Sequence, residues 1–497
     1  MVGTLVAIAA LLQLFLGRDV GLADNGDGAR AMCGIGLGRS GGLRSVLGFD
    51  WHVAAPKVCQ PRPLWAYHSS YSALLKPVVA VERLLTGHQD FDLRVLGVTW
   101  CLLLGVAIGC LVAALPGSTR SRTALGAMIA FACLDVGFLS YFSSPYVEPG
   151  GMLGILFLMA AITAWLTSER PRFTLLLAVT TAALFTAENK SQLAVVIVAV
   201  VPLMLVPRLK AGRRLPALTA GRIPALACAG VLILGSTSYL HSQGENLRKG
   251  NAYNVMFYSV LARSPDPARD LAEMHLPPAL AAYAGTSAWQ HSAWFNRAFV
   301  ANQHRVLSRA TVLRFLARHP ARALDLYGQS ATATTRARVG YLANYEGGAK
   351  PGPAPMAHRW SPVFWALHRI RPVAGLALAG LWLGGLGWGI SALARGQRLP
   401  GNDPSRVAAG GLAVFLALLA IGQAVVVPLG DGLYEIDKHS IFTAYATGLL
   451  AVVLLSRAGF GRRRGSRATS DAVAHTTSPT AVDAHSKSNR RRCLTSS

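Results

Sequence analysis

The stretch Val95-Leu96-Gly97-Val98-Thr99-Trp100-Cys101-Leu102-Leu103-Leu104-Gly105-Val106-Ala107-Ile108-Gly109-Cys110-Leu111-Val112-Ala113-Ala114-Leu115 contains no charged side chain and no proline. A helix rises about 1.5 Å per residue, so about 20 apolar residues cross the hydrocarbon core of a bilayer. This stretch has that length, and only a helix or a closed barrel satisfies its backbone where no water can reach. Working outward, comparable apolar runs fall at roughly 4–17, 123–142, 150–167, 173–188, 191–207, 223–240, 373–394, 407–427 and 440–456. The reading is an all-α, polytopic membrane protein of about ten transmembrane helices. The runs between 150 and 207 are short and closely spaced, so one of them is a candidate re-entrant segment.

Composition agrees. Of 497 residues, 52% are hydrophobic and 14% charged, against about 25% charged in soluble domains, and mean hydropathy is +0.38. The formal charge of +25 would raise nucleic acid as a partner for a soluble protein. Here much of it lies in short loops and a tail, where arginine and lysine orient membrane helices and meet anionic headgroups, so no nucleic-acid partner is expected. Residues Met1–Gly17 lack a basic leading region and a small-residue cleavage site, so this segment is expected to remain a helix rather than a removed signal.

The short loops fix an orientation. With the N-terminus inside, the inner connections hold Arg120 and Arg122, Arg170 and Arg172, the cluster Arg208 to Arg222, and Arg395 to Arg406, whereas the alternate short connections offer only Lys190 and Lys438. Both termini are then cytoplasmic in a multi-pass inner-membrane protein. The chain divides into a membrane core, 1–241, with a first extracytoplasmic loop at 18–93; a partly helical extracytoplasmic segment, 242–372; C-terminal membrane helices, 373–456; and a basic cytoplasmic tail, 457–497. The tail is rich in Arg, Ser and Thr, is expected to be disordered, and has anionic lipid as its expected partner. Within 242–372, Arg305 to Tyr327 reads as one amphipathic helix, either lying in the headgroup plane or packed as a lid, with a break expected at His319-Pro320.

Polar residues then gather at one interface. Leu22-Ala23-Asp24-Asn25-Gly26-Asp27-Gly28-Ala29-Arg30 follows the first apolar run; His68 and Lys76 lie further along the same loop. Ser143-Ser144-Pro145-Tyr146-Val147-Glu148-Pro149 sets Glu148 at the start of a helix. Glu188-Asn189-Lys190 makes a charged turn, and Gly430-Asp431-Gly432-Leu433-Tyr434-Glu435-Ile436-Asp437-Lys438-His439 precedes the last run. Each has a structural reading beside the functional one. Asp-Asn-Gly-Asp-Gly is good turn chemistry, Glu148 suits a helix N-terminus, Glu188 and Lys190 suit a pair, and Lys438 suits a snorkelling position. Together, however, carboxylates take a proton or hold a divalent metal, and Arg, Lys and His hold a phosphate. Cys33 and Cys59 share the first loop and are candidates for a disulfide if that loop faces an oxidising exterior.

This layout resembles the GT-C superfamily of polytopic glycosyltransferases, in which an acidic motif just after the first helix supplies the catalytic carboxylate. Leu22-Ala23-Asp24-Asn25-Gly26-Asp27 stands at that point, although its two acids are three apart rather than adjacent. The resemblance implies inverting transfer of a sugar from a polyprenyl-phosphate donor to a cell-envelope glycan or lipid acceptor outside the membrane. Asp24 is the first choice for the base because it is nearer the end of the first helix, with Asp27 second and Glu148 as a further catalytic carboxylate. Arg30, His68, Lys76, Lys190, Lys438 and His439 are then the residues for phosphate or sugar. If a divalent metal (Mg or Mn) takes part, Asp24, Asp27 and Glu148 are its ligands. Two rival readings are a flippase or transporter for a lipid-linked glycan, which should place ionisable groups at midspan, where Asp135 is the candidate, and a non-catalytic scaffold for envelope assembly.

Overall fold

A computed structural model describes residues 1–38, 47–53, 67–168, 173–206, 216–290, 292–346, 356–398 and 403–456. The expected tail lies outside them, as does Cys59, and with it the Cys33–Cys59 pairing. Two compact units divide the chain, Met1–Leu454 and Leu455–Ser497; the account below concerns the first, with the last helix followed to its end.

The first unit is a bundle of helices. In chain order these are α1 (Val2–Phe15), α2 (Asp27–Cys33), α3 (Tyr71–Thr86), α4 (Leu93–Ala114), α5 (Thr119–Cys133), α6 (Val136–Leu139), α7 (Glu148–Thr167), α8 (Phe173–Ala187), α9 (Val196–Leu205), α10 (Pro216–Ser242) and α11 (Glu245–Tyr253). After a π-helical turn at Asn254–Val260 come α12 (Pro267–Glu273), α13 (Arg297–Val306), α14 (Arg309–Arg318), α15 (Pro320–Thr334), α16 (Pro362–Arg369), α17 (Ala374–Arg398), α18 (Pro404–Gly430) and α19 (Ile436–His439), then α20 (Ile441–Ser456). Strands β1 (Leu37–Gly38), β2 (Asp50–Val53) and β3 (Phe91–Asp92) form a small antiparallel sheet. Its register pairs Leu37 with Val53 and Trp51 with Phe91.

Five helical runs among the described residues are long and apolar enough to cross a membrane: Leu93–Ala114, Glu148–Thr167, Ile223–Ser242, Arg371–Gln397 and Pro404–Gly430. Four more apolar helices, Val2–Phe15, Phe173–Ala187, Ser191–Leu205 and Ile441–Ser456, are shorter. The protein is therefore a helical membrane protein, but ten full spans do not follow. The third expected span is interrupted, because α5 ends at Cys133 and Asp135 starts a new turn. The Asp135 carboxylate accepts from the Gly137 amide (2.8 Å), the Ser361 hydroxyl (2.7 Å) and the amides of Val363 (2.9 Å) and Phe364 (3.1 Å). This acid is thus not a lone midspan charge; it joins the helix break to the start of α16. Where α1 crosses α4 the backbones nearly touch: a Cβ on Gly3 would lie 2.3 Å from the Gly105 carbonyl oxygen. Such small-residue contacts let membrane helices pack on dispersion alone.

The single amphipathic helix expected from Arg305 to Tyr327 is in fact parts of three, α13 to α15. It breaks at Leu307-Ser308 as well as at the expected His319-Pro320, where proline cannot continue the backbone bonding. Val312, Phe315, Leu316 and Leu326 bury themselves with Tyr253, Phe257 and Phe299 in a second apolar core, separate from that of the bundle. Much of the apolar face is therefore packed against protein, while Leu313 and Leu324 stay exposed. This segment and the first loop are tied together by backbone bonds from Gly21 to Asn344 (3.0 Å) and from Ala23 to Ala343 (2.9 Å).

Candidate functional site

The two aspartates of the first loop part company. Both carboxylate oxygens of Asp24 turn back onto the chain, accepting from the amides of Gly26 (2.9 Å), Gly28 (2.9 Å) and Ala29 (3.1 Å). They satisfy donors that the first turn of α2 leaves unbonded. Gly26 carries the left-handed conformation (φ 108°) that this turn requires, and a Cβ on Gly28 would strike Pro145 at 2.5 Å. Burial pushes the Asp24 carboxyl above its ordinary value, outweighing the amides. Asp27, one turn further on, points instead into a cavity.

There it meets α19. The Lys438 ammonium is fully buried (0% exposed) and bridges Asp27 (2.5 Å) and Glu435 (2.7 Å). Arg30 is 3.1 Å from the other Asp27 oxygen. Burial opposes ionisation of Asp27, but the fields of Lys438, Arg30, Lys190 and His439 override it and hold the carboxyl well below the usual carboxylate range. By the same balance Lys438 is held above its ordinary value by Asp27 and Glu435, against the effect of burial. Asn25 donates to both oxygens of Glu435 (2.7 Å each), and the Tyr146 hydroxyl, which accepts from the Asn25 backbone amide (3.0 Å) and lies 3.0 Å from both Asn25 Oδ1 and the Ala23 carbonyl, locks the first loop to the 143–149 element. Three stretches far apart in sequence thus share one polar cluster.

Glu148, buried at the start of α7, pairs with Lys190 at 2.6 Å. His439 lies 3.3 Å from Asp431, whose other oxygen accepts from Asn254 Nδ2 (2.8 Å). Asp27, Arg30, Glu148, Lys190, Asp431 and His439 all line one cavity of about 700 Å³. Arg248 and Arg309, from the segment beyond α10, add two cations to its wall; Arg309 also donates to the carbonyls of Leu429 and Gly430, at the end of α18. The same cavity has apolar wall members as well, among them Ala194, Val195, Val198, Leu240, Val426 and Val427. Val198 (60% exposed) and Leu240 (39%) are also exposed at the surface of the bundle.

Of the sequence candidates, the structure brings Asp27, Arg30, Glu148, Lys190, Lys438 and His439 together. Asp24 stands behind them. His68 meets its neighbours through its backbone, which exchanges bonds with the Gln243 side chain (3.4 and 3.1 Å), and Lys76 sits exposed on α3, outside the cavity wall. The cluster and the cavity also take in Asn25, Glu435, Arg248 and Arg309, which the sequence does not mark as site residues. Glu435 stands three residues before Lys438, and that spacing was the signal available; the two arginines lie in a segment read only for its periodicity.

The donor set for a metal also differs from expectation. Among the described residues, Asp27, Glu435 and His439 bring ligand atoms within 4.8 Å of one another, whereas Asp24 and Glu148 are engaged elsewhere. The Lys438 ammonium already sits against two of the three. A divalent ion would have to displace a buried cation from its own carboxylates, so these residues fit an internal ammonium better than a metal.

Among solved structures, the chain is similar to the archaeal oligosaccharyltransferase AglB from Archaeoglobus fulgidus in complex with an inhibitory peptide and a dolichol-phosphate, at 13% identity and a TM-score of 0.37. That match covers 98% of this chain and 52% of the other, so this chain spans about half the length of its neighbour. No curated protein sequence matches it. The family model described as the YfdI N-terminal transmembrane domain matches residues 1–471, nearly the whole chain, and the protein belongs to that family.

Proposed function

We propose that the protein transfers a sugar from a polyprenyl-phosphate donor to a glycan or lipid acceptor at the extracytoplasmic face of the inner membrane. The observation that carries this reading is the mixed wall of one cavity, which joins cations and carboxylates to apolar side chains, two of them exposed at the surface of the bundle. A lipid-linked phosphate has the same two kinds of surface, with a polar head and a hydrocarbon chain.

In this reading the acceptor hydroxyl attacks the anomeric carbon, its proton passes to Asp27, and the bond from that carbon to the phosphate oxygen breaks. The leaving phosphate is held by Arg30, Lys190, Arg248, Arg309 and His439, which offset its charge as it develops. Attack opposite the leaving group inverts the anomeric centre. Asp27 is a weak base while its cations are unshared. An arriving phosphate takes up part of their field and so raises its proton affinity in the complex that reacts. The Asp24 oxygens are spent on backbone amides, which favours Asp27 over Asp24 as the base. No metal enters these steps.

The test is consumption of a radiolabelled polyprenyl-phosphate sugar by the full chain in proteoliposomes. Wild type should transfer label to an acceptor, and Asp27→Asn should abolish most of the rate while leaving donor binding nearly intact. If the lipid-linked sugar crosses the bilayer unconsumed, the protein is a transporter; that reading gains nothing from Asp135, whose carboxylate is bonded, among the described residues, at a helix junction.

A further inference from the structure

The α19 turn has a second cavity on its other side. Asp437 lines a groove of about 1010 Å³ together with Arg336, Arg338, Arg359, Trp360, Trp365 and His368, while His439, two residues on, lines the first cavity and Lys438 is buried between. The three guanidiniums are not equivalent. Arg336 is paired with Asp437 (3.0 Å). Arg359 is bound to the carbonyls of Gln13, Leu16 and Arg18 at the end of α1. Among the described residues Arg338 donates only to the Ala357 carbonyl, and its buried Nε has no hydrogen-bond partner. Among the described residues no carboxylate lies within ion-pair distance of it. Burial presses this guanidinium below its ordinary value, with Asp135 as its more distant countercharge.

Arg338 is half-buried with its Nε enclosed, and a partly desolvated guanidinium that lacks a carboxylate is costly unless an anion completes it; its planar fork matches phosphate oxygens. The rim says which kind of anion. Trp360 (47% exposed) and Trp365 (63%) stand at the mouth, Arg369 lies 5.1 Å over the Trp365 ring, and the spanning run Arg371–Gln397 follows directly. Exposed tryptophans beside arginine at the end of a spanning helix mark the headgroup level of a bilayer.

We propose that this groove binds the phosphate head of a lipid, held by Arg338, with the hydrocarbon chain leaving past Trp360 and Trp365 along α17. The two cavities then present two lipid-borne groups to opposite sides of α19. Its role as the seat of a second substrate rests on the transfer reaction proposed above; the binding does not.

The experiment uses the full chain in phosphatidylcholine nanodiscs and a dodecyl phosphate carrying a diazirine beside its head. After irradiation, peptides from 356–376 should be labelled in addition to those of the first cavity, and excess inorganic phosphate should leave that labelling in place. Arg338→Gln should reduce it about tenfold, the scale of one charge-assisted contact, while first-cavity labelling persists. If Arg338→Gln also loses the first-cavity label, its fold has failed and His368→Asp decides: this exposed residue on the groove wall should, as a carboxylate, repel the phosphate and lower 356–376 labelling several-fold. No label on 356–376, labelling that both variants leave unchanged, or displacement by inorganic phosphate alone would each overturn the proposal. Groove labelling in a protein that transfers no sugar would keep the groove and remove the reaction.

Discussion

Asp24 and Asp27 are three residues apart, yet they belong to two different kinds of structure. The turn around Asp24 is built from its own neighbours: three amides within five residues consume the carboxylate. The cluster around Asp27 is built from the far end of the chain, since its principal partner, Lys438, is 411 positions away. Burial raises the first carboxyl, and assembled cations lower the second. The same residue type in the same loop is thus a local fastener in one place and part of a charged site in the other, and only the source of its partners separates them.

The strongest test of that contrast is the pair of amide variants. Asp27→Asn should cost about 10² to 10⁴ in transfer rate, the usual worth of general-base help. In Asp24→Asn the side-chain carbonyl still accepts from the α2 amides, so the loss should stay under about tenfold. Equal losses would break the comparison, and a larger loss for Asp24→Asn would restore it as the base.

Lys438→Met examines the other half of the contrast. Removing a fully buried ammonium strands two carboxylates, and breaking a buried pair from one side costs about 3 kcal/mol or more. Thermal unfolding in nanodiscs should show a clear fall in midpoint, which Asp27→Asn with Glu435→Gln in the same chain should largely recover. No fall would mean that Lys438 is not the organising charge.

A smaller effect is expected at the wall. Lys190→Ala leaves Glu148 unpaired and removes one phosphate-holding cation, so donor affinity should weaken about tenfold, together with a loss of rate. A rate change with unaltered donor binding would place Lys190 outside the phosphate's reach.

The smallest effect is in the pH dependence of stability. A carboxyl held below its unfolded value contributes stability that is complete above about pH 4 and is lost only as the pH falls through the folded value. The stability advantage of wild type over Asp27→Asn should therefore be constant from pH 8 to pH 5 and shrink only in stronger acid. An advantage that disappears between pH 7 and pH 5 would show that the cations do not hold Asp27 ionised.

Much of the architecture was legible in the chain itself. Apolar runs such as 94–115 and 407–427 report helices directly, because the bilayer demands length and hydrophobicity from each segment alone. The break at His319-Pro320 was legible because proline acts on its own backbone. The break at Leu134 was not. The run through it is apolar, and the groups that stabilise the interruption at Asp135 come from Ser361, Val363 and Phe364. The same holds for the cavity. The polar stretches at 24–30, 143–149, 188–192 and 430–439 group by their positions at helix ends, but chain position alone puts Asp24 ahead of Asp27 and sets Lys76 and His68 beside Lys190, because the partners each one meets are not written in it.

By itself, then, the sequence determined what depends on single segments: a helical membrane protein, its apolar helices, and the turn chemistry of Asp-Asn-Gly-Asp-Gly. Tertiary structure alone decided which charges meet. Coulomb energy and hydrogen bonding fall off over a few ångströms, and distances of that kind between residues 27, 148, 190 and 438 exist only once the helices have packed.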